Sequence, residues 1–312
     1  MNKLNALKSN IKEFAYQLGF NEVGFARYKL VDEFHYYLQW LEKGYHASMD
    51  YLEGNLEKRK DIANILPEVK TVIVFAHSYY TGIPYESKEF KISRYAWGLD
   101  YHDIIKVKID QVVDYIKKFH PDLKYKVYVD TGPILEKYWA VEAGIGWQGK
   151  NSLVLSRELG SYFFLGLLLL DLEFEPDSKV RDFCGKCTKC MEACPTGAIV
   201  EPKVIDSNKC ISFWTIEKKK VEEIPEQIDL NGWIFGCDIC QEVCPWNSKV
   251  KLTNEISFYP RDGRTYLDAE TLRTLTPENF KEIFRKSPIK RAKFEGLIKN
   301  YHHIIRRRNE TK

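Results

Sequence analysis

Eight cysteines, all between Cys184 and Cys244, constrain this chain more than any other feature. Cys184, Cys187, Cys190 and Cys194 run into Pro195, Cys237, Cys240 and Cys244 run into Pro245, and Cys210 stands between the two runs. The first run has the C-x2-C-x2-C-x3-C-P spacing of bacterial ferredoxins, and the second repeats it with one cysteine displaced upstream to position 210. In such pairs the cysteine before proline ligates the other cluster. The spacing therefore predicts one [4Fe–4S] cluster on Cys184, Cys187, Cys190 and Cys244, and a second on Cys194, Cys210, Cys237 and Cys240. Structural zinc sites use paired two-cysteine knuckles, whereas three thiols here fall within seven residues beside a Cys-Pro. Disulfides call for an oxidising compartment and a secretory signal, and Met1 to Ala6 offers none. The expectation is a cytoplasmic protein that moves single electrons.

With 312 residues, 44% apolar and 29% charged, the chain reads as a soluble protein with room for two or three domains. A free-standing electron carrier has no need of the roughly 180 residues ahead of the cysteines. Tyr162 to Leu170 is too short an apolar run to cross a bilayer and reads as a buried strand, so no membrane association is expected. The net charge of +3 is uneven: Lys281 to Lys312 carries +8 and everything before it −5. A basic segment beside an acidic body suggests a polyanionic partner, with a solvated helix face as the plainer alternative.

Apolar spacing predicts helices over 2–18, 31–43, 101–119 and 134–143, and strands over 22–26, 71–76, 125–129, 152–156 and 162–172. Tyr36, Tyr37 and Trp40 lie at helical spacing and read as core. Lys91 to Trp97 reads as extended. Alternation of strands and helices over this length argues an α/β domain, in an order the sequence does not fix. Helices are also predicted from Asp268 to Arg285, with Thr276 capping before Pro277, and from Ile289 to Arg307. The chain thus divides into 1–175, 176–250 with the cysteines, and a basic helical tail over 251–312.

Asp130 ends a predicted strand, where side chains of α/β folds project into a cleft. It reads either as a general acid, if burial raises its pKa, or as a cap on the following helix. The loop Gly144 to Asn151 brings backbone N–H groups within reach of a large cofactor, but it follows a helix and lacks the G-x-G-x-x-G order. Asp100 and His102 begin a D-x-H pattern that fails at Ile105, where a cobalt-ligating motif has glycine. His102 therefore reads as a neutral histidine at a helix N-terminus.

Three blocks carry a family resemblance: SRYAWGLDYH (Ser93 to His102), VDTGPILEKYWAVEAGIGWQGKNSL (Val129 to Leu153), and the cysteine runs with CISFWTIE (Cys210 to Glu217) and GCDICQEVCPWN (Gly236 to Asn247). In this order they resemble the epoxyqueuosine reductases, cobalamin-dependent enzymes that remove the epoxide oxygen of a modified base at the tRNA wobble position. The resemblance implies a nitroreductase-like α+β domain binding base-off cobalamin, a two-[4Fe–4S] ferredoxin-like domain and a HEAT-like tail. It implies that Asp130 is the proton donor. It places Gly146, Gly149, Lys150, Asn151 and Ser152 along the corrin, Ser93 near the metal face and Ser212 between cluster and corrin. It puts Asp100 and His102 near the substrate or the proton path. Electrons are expected from a low-potential donor, passing last through the cluster that holds Cys210. Lys290, Arg291, Lys293, Arg306, Arg307 and Arg308 are expected to clasp the phosphates of tRNA bearing epoxyqueuosine. SPIKRAKFEGLIKN (Ser287 to Asn300) resembles a first HEAT-like repeat, after which the chain stops; a monomer is expected.

Two rival readings share parts of this pattern. A corrinoid reductive dehalogenase has both clusters and the cobalamin domain, and usually an export signal that is not seen here. A ferredoxin-like electron carrier leaves the α/β domain and the glycine loop unexplained. Halocarbon turnover would mark the first, and absence of corrin affinity the second.

Overall fold

The run Thr71–Ser78 is buried at every position, as its near-continuous β-branched and apolar sequence demands of a strand covered on both faces. In the computed structural model, which describes residues 3–218, 224–261 and 265–310, this strand is central in a four-stranded sheet. The order is Glu22–Arg27, Thr71–Ser78, Phe163–Leu170, Tyr125–Tyr128. All three pairings are antiparallel, with Val74 opposite Leu167 and Gly24 opposite Val74.

The two periods of the sequence meet at this sheet. Ile73 and Phe75 face one side with Phe25 and Leu168, packed on Ile105, Ile109, Val112 and Ile116 of the helix Tyr101–Lys117 and on Leu7 and Ile11 of the helix Lys3–Gln17. Val72, Val74 and Ala76 face the other, against Trp139 and Ala140 of the helix Glu136–Glu142. Burying each such aliphatic side chain contributes about 1.5–3 kcal/mol. Gly166 leaves the room that Ile105 and Ile109 fill, since a Cβ there would lie 2.6 Å from both. Helices cover both faces, as the alternation predicts, yet the strands run antiparallel. The long connection from Arg27 returns to Thr71 beside its own start, so sequential elements here do not form parallel crossovers.

A third core joins distant stretches: Phe90 to Trp97, Ile211 to Phe235, and Leu267 to Ile304. Lys91–Ile92 pairs in parallel with Trp233–Phe235, and Asn300, fully buried, donates from Nδ2 to the carbonyls of Thr215 and Ile234, both at 3.0 Å. The packing therefore runs across residues 175 and 250. Mixed helix and sheet enclosing a cysteine-bearing segment is the architecture.

Several local expectations give way to packing. Tyr36 is 61% exposed and Tyr37 and Trp40 are only half-buried; Trp40 instead donates from Nε1 to the Ile205 carbonyl at 2.7 Å, tying its helix, Phe34–Glu42, to the cysteine segment. Lys91 to Trp97 is extended only to Ile92 and then turns at Arg94–Ala96, because the backbone N–H of Arg94 is drawn to Asp238 at 2.8 Å. The expected strand 152–156 shrinks to Val154–Leu155, paired with Trp147–Gln148, so the glycine loop is the tip of a hairpin. The expected tail helix from Ile289 is broken at Lys293, whose φ is 59°; a 3-10 turn precedes it and the helix Lys293–Glu310 follows. Thr276 does cap the helix Pro277–Phe284, in a box with Asn279.

Candidate active site

Asp130 lies two residues past the strand Tyr125–Tyr128, in the turn Asp-Thr-Gly-Pro, with φ of 60°. A non-glycine residue in that region is held there by its surroundings. Its backbone N–H donates to Glu136 Oε1 at 2.7 Å, and Tyr101 donates from its hydroxyl to Asp130 Oδ2 at 3.0 Å. His102 Nε2 stands 3.5 Å from the same oxygen, and its Nδ1 donates to Asp100 Oδ1 at 2.6 Å. Asp100 caps the helix Tyr101–Lys117 through the His102 N–H and pairs through Oδ2 with Lys290 at 2.6 Å. The Tyr101 ring is fixed by stacking on Phe164, 4.1 Å away and 4° from parallel.

The electrostatics follow from this chain of carboxylates around one imidazole. Burial works against a charged His102, but its bonds to Asp100 and Asp130 prevail and raise it to about 9. The neutral histidine expected from the helix dipole is thus corrected to an imidazolium: two carboxylates outweigh one helix end. Asp100, though desolvated, is held well below the usual carboxylate range by His102 and Lys290. Asp130 is likewise desolvated, yet His102, Tyr101 and Arg291 bring it below its ordinary value. The condition for an acid of raised pKa is therefore not met by Asp130 alone. The protons of this site rest on its neighbours: on His102, and on Glu136, which burial and the Asp130 charge push up to about 8.

The Asp130 side chain is 65% accessible although protein surrounds it densely enough to shift Glu136 and to depress the Lys137 amine by desolvation. Asp130 therefore occupies the floor of an open, deep cleft. Lys137 senses Asp130 on one side and the Cys240 and Cys210 thiols on the other. Across the cleft Arg291 grips Glu217 with two bonds, 2.9 and 3.1 Å, beside Tyr51.

The thiols sort by mutual influence. Cys244 is raised by burial and then by Cys184, Cys190 and Cys187. Cys237 is raised by burial and then by Cys240 and Cys210, and Cys240 by burial, Cys210, Asp238, Cys190 and Cys194. Cys210 is buried deeply enough to be raised despite N–H groups of Phe213 and Ser212 directed at its sulfur, which is where the structure puts Ser212.

The remaining candidates are dispersed. Ser93 is buried and donates to Asp238 Oδ1 at 2.5 Å. Lys150 reaches the Gly185 carbonyl at 2.9 Å, beside Cys184. Gly146 is required by the hairpin itself, since a Cβ would meet the Leu155 carbonyl at 1.9 Å, and Gly149 is crowded by Leu155 and Asn151. Ser152, with φ of 62°, accepts from Gln148 at 3.1 Å. Asn151 is buried with its Nδ2 unpartnered in the protein. Of the tail cations, Lys290 and Arg291 come to the Asp130 cleft. Lys293 is exposed at the start of the last helix; Arg307 donates to the Glu226 carbonyl, and Arg308 pairs with Glu89 at 2.8 Å. Tyr101, Glu136, Lys137 and Glu217 were not singled out from the sequence. Each lies inside a quoted block, but nothing in residue type or spacing sets them apart.

Two family models match: "Epoxyqueuosine reductase QueG, DUF1730" over residues 59–131 and "4Fe-4S double cluster binding domain" over 183–247. Full-length similarity decides the question. The chain is 40% identical to the epoxyqueuosine reductase of Leadbetterella byssophila over 294 residues, covering 93% of this chain and 95% of that one. This chain belongs to the epoxyqueuosine reductase family. It is 36% identical to the Pseudomonas aeruginosa member, of which it covers 83%. The solved epoxyqueuosine reductase with an epoxyqueuosine-modified tRNA-Tyr stem loop is 30% identical, with a TM-score of 0.89 over 97% of this chain and 82% of that one. The Bacillus subtilis family member, solved with its catalytic aspartate loop swung out of the active site, has a TM-score of 0.88 at 29% identity, covering 97% of this chain and 82% of that one. Family and domain match make this an oxidoreductase with two [4Fe–4S] clusters.

Proposed function

We propose that the protein reduces the epoxide of epoxyqueuosine to queuosine in the anticodon of tRNA, using electrons that pass through its two clusters to cobalamin. The observation that carries this is the shared cleft: Asp130 with its proton-bearing neighbours lies on one side of Lys137, and the Cys210 and Cys240 thiols on the other. Cys184, Cys187, Cys190 and Cys244 hold one cluster, and Cys194, Cys210, Cys237 and Cys240 the other, nearer the cleft. Removing the oxygen as water takes two electrons and two protons and leaves a carbon–carbon double bond.

Cobalamin fits the cleft as a base-off cofactor. The space above Asp130 is open, His102 is occupied by two carboxylates rather than offered as a lower ligand, and the buried Asn151 amide supplies an unpartnered donor for a polar group of the cofactor. Ser93, Gly146, Gly149, Lys150, Ser152 and Ser212 belong to the walls and hairpin around this space. When bound, the cofactor supplies low-valent cobalt, a reductant that no side chain provides. The chain's own residues manage the protons. Tyr101 and the Glu136 bond orient Asp130, His102 stores a proton beside it, and Asp130 passes it to the departing oxygen.

The flipped base enters past Lys290 and Arg291, while Lys293 and Arg306 to Arg308 meet phosphates further along the strand. The catalytic domain, 1–175, is nitroreductase-like, 176–250 is ferredoxin-like, and 251–312 is a HEAT-like tail. Eight thiols held as cluster ligands suit a reducing cytoplasm, where the protein acts as a monomer on a low-potential donor. Among the described residues no helix is long and apolar enough to cross a membrane.

The deciding experiment is anaerobic incubation of reconstituted protein with cobalamin, a low-potential reductant and tRNA bearing epoxyqueuosine, read by nucleoside mass. Cobalamin-dependent loss of one oxygen is expected; no loss, with clusters intact and cobalt reduced, rejects the reading. Replacing Arg306, Arg307 and Arg308 by glutamine is expected to weaken tRNA binding. The slope of log K against log salt should flatten by about 0.7 for each phosphate no longer neutralised. Turnover at saturating tRNA should hold. A melting curve run alongside separates this from the effect of breaking the bonds to Glu89 and Glu226.

A further inference from the structure

Between Cys237 and Cys240, in the loop Cys-Asp-Ile-Cys, stands a carboxylate with no exposure to solvent: Asp238 is 0% accessible. Four groups converge on it. Ser93 donates from Oγ to Oδ1 at 2.5 Å, Gln241 from Nε2 to Oδ1 at 2.9 Å, Tyr85 from its hydroxyl to Oδ2 at 2.6 Å, and Arg94 from its backbone N–H to Oδ2 at 2.8 Å. Every partner is a donor, which is the inventory of an ionised carboxylate. The Arg94 guanidinium is directed elsewhere, from Nη1 to the Ile83 carbonyl at 2.5 Å and from Nη2 to Glu242 at 3.4 Å, and it lies over Tyr85 and Trp97. A buried charge is costly, and a structure that retains one with four dedicated donors invests packing in keeping it charged.

We propose that Asp238 is a fixed buried negative charge that sets a low reduction potential for the second cluster, a role that rests on Cys237 and Cys240 being ligands of that cluster. Reduction adds one electron, delivered by the low-potential donor, to a cluster already surrounded by four thiolates. A neighbouring carboxylate that water cannot screen opposes that addition, and cluster potentials follow net charge and burial. A low potential at this point makes the cluster beside the cleft a strong reductant. The four donors hold the charge in place, and Ser93 links it to the wall of the cleft.

The test is an EPR-monitored redox titration of the reconstituted protein, with iron and sulfide counted. The second cluster's signal is identified as the one missing from Cys210→Ala. Asp238→Asn keeps the shape and removes the charge. Its second-cluster potential is expected to rise, by about 59 mV for each tenfold change in the one-electron equilibrium, with the first cluster unmoved. Tyr85→Phe keeps the charge and removes a donor, and should move the same potential the other way. A merely structural Asp238 would show no such opposed signs. An Asp238→Asn protein with both clusters and an unmoved or lowered second potential overturns the proposal. If that variant does not retain the second cluster, Tyr85→Phe decides: no downward shift overturns it. A wild-type protein holding a single cluster overturns the ligand assignment itself, and the Asp238 role with it.

Discussion

Asp130→Asn is expected to lower turnover by about 10²–10⁴-fold, the range over which a positioned acid acts, while cluster content and cobalamin binding stay at wild-type levels. The substitution keeps the size of the side chain and its Tyr101 bond, and the Glu136 bond is to the backbone of residue 130, which does not change. What it removes is the oxygen through which His102 reaches the substrate. Single-turnover assays on pre-reduced protein measure this without interference from electron delivery. Wild-type turnover would return Asp130 to the role of a turn residue. The pH profile gives an independent reading. His102 is held charged up to about 9, so its stored proton is present below that pH and lost above it. Turnover should fall on the alkaline side near 9, and His102→Gln should remove that limb.

Cys210→Ala is expected to abolish multiple turnover. The Cys210 side chain lies deep, ringed by Phe213 and Ser212 N–H groups and by the Cys194 and Lys137 side chains, and a cluster short of one thiolate there has no replacement ligand. Iron content should fall to that of one cluster, and the remaining EPR signal should be that of Cys184, Cys187, Cys190 and Cys244. Survival of both signals would show that Cys210 ligates neither cluster. Loss of both would show that the two quartets do not assemble independently. The thermal melting point should fall as well, since Cys210 packs against the core that joins residues 90–97 to the tail.

The two variants separate the halves of the reaction. An Asp130→Asn protein should accept electrons and hold them, whereas a Cys210→Ala protein should retain its proton machinery and receive none. Mixing the two variants should not restore multiple turnover, because each chain carries its own cleft and clusters.

Local signals made a large part of this protein legible. The cysteine spacing fixes which thiols lie near one another because three ligands fall within seven residues of chain, and the strand and helix periods of Thr71–Ser78 and Tyr101–Lys117 identify the faces that pack. Family-specific blocks identified Asp130 as the residue to watch, where spacing alone left a helix cap equally open. Tertiary structure decided what no local pattern encodes. It set the antiparallel order of the sheet, because strand neighbours are chosen by which connections close around the core. It gave His102 its charge, because Asp130 comes to it from 28 residues away in sequence by way of a different strand. It brought Lys290 and Arg291 to the cleft, where sequence offered only a basic tail. And it surrounded Asp238 with Tyr85, Ser93 and Arg94, donors from the far side of the chain. Residue types announce chemistry at short range; the energies of desolvation and pairing that tune them depend on neighbours that only folding supplies.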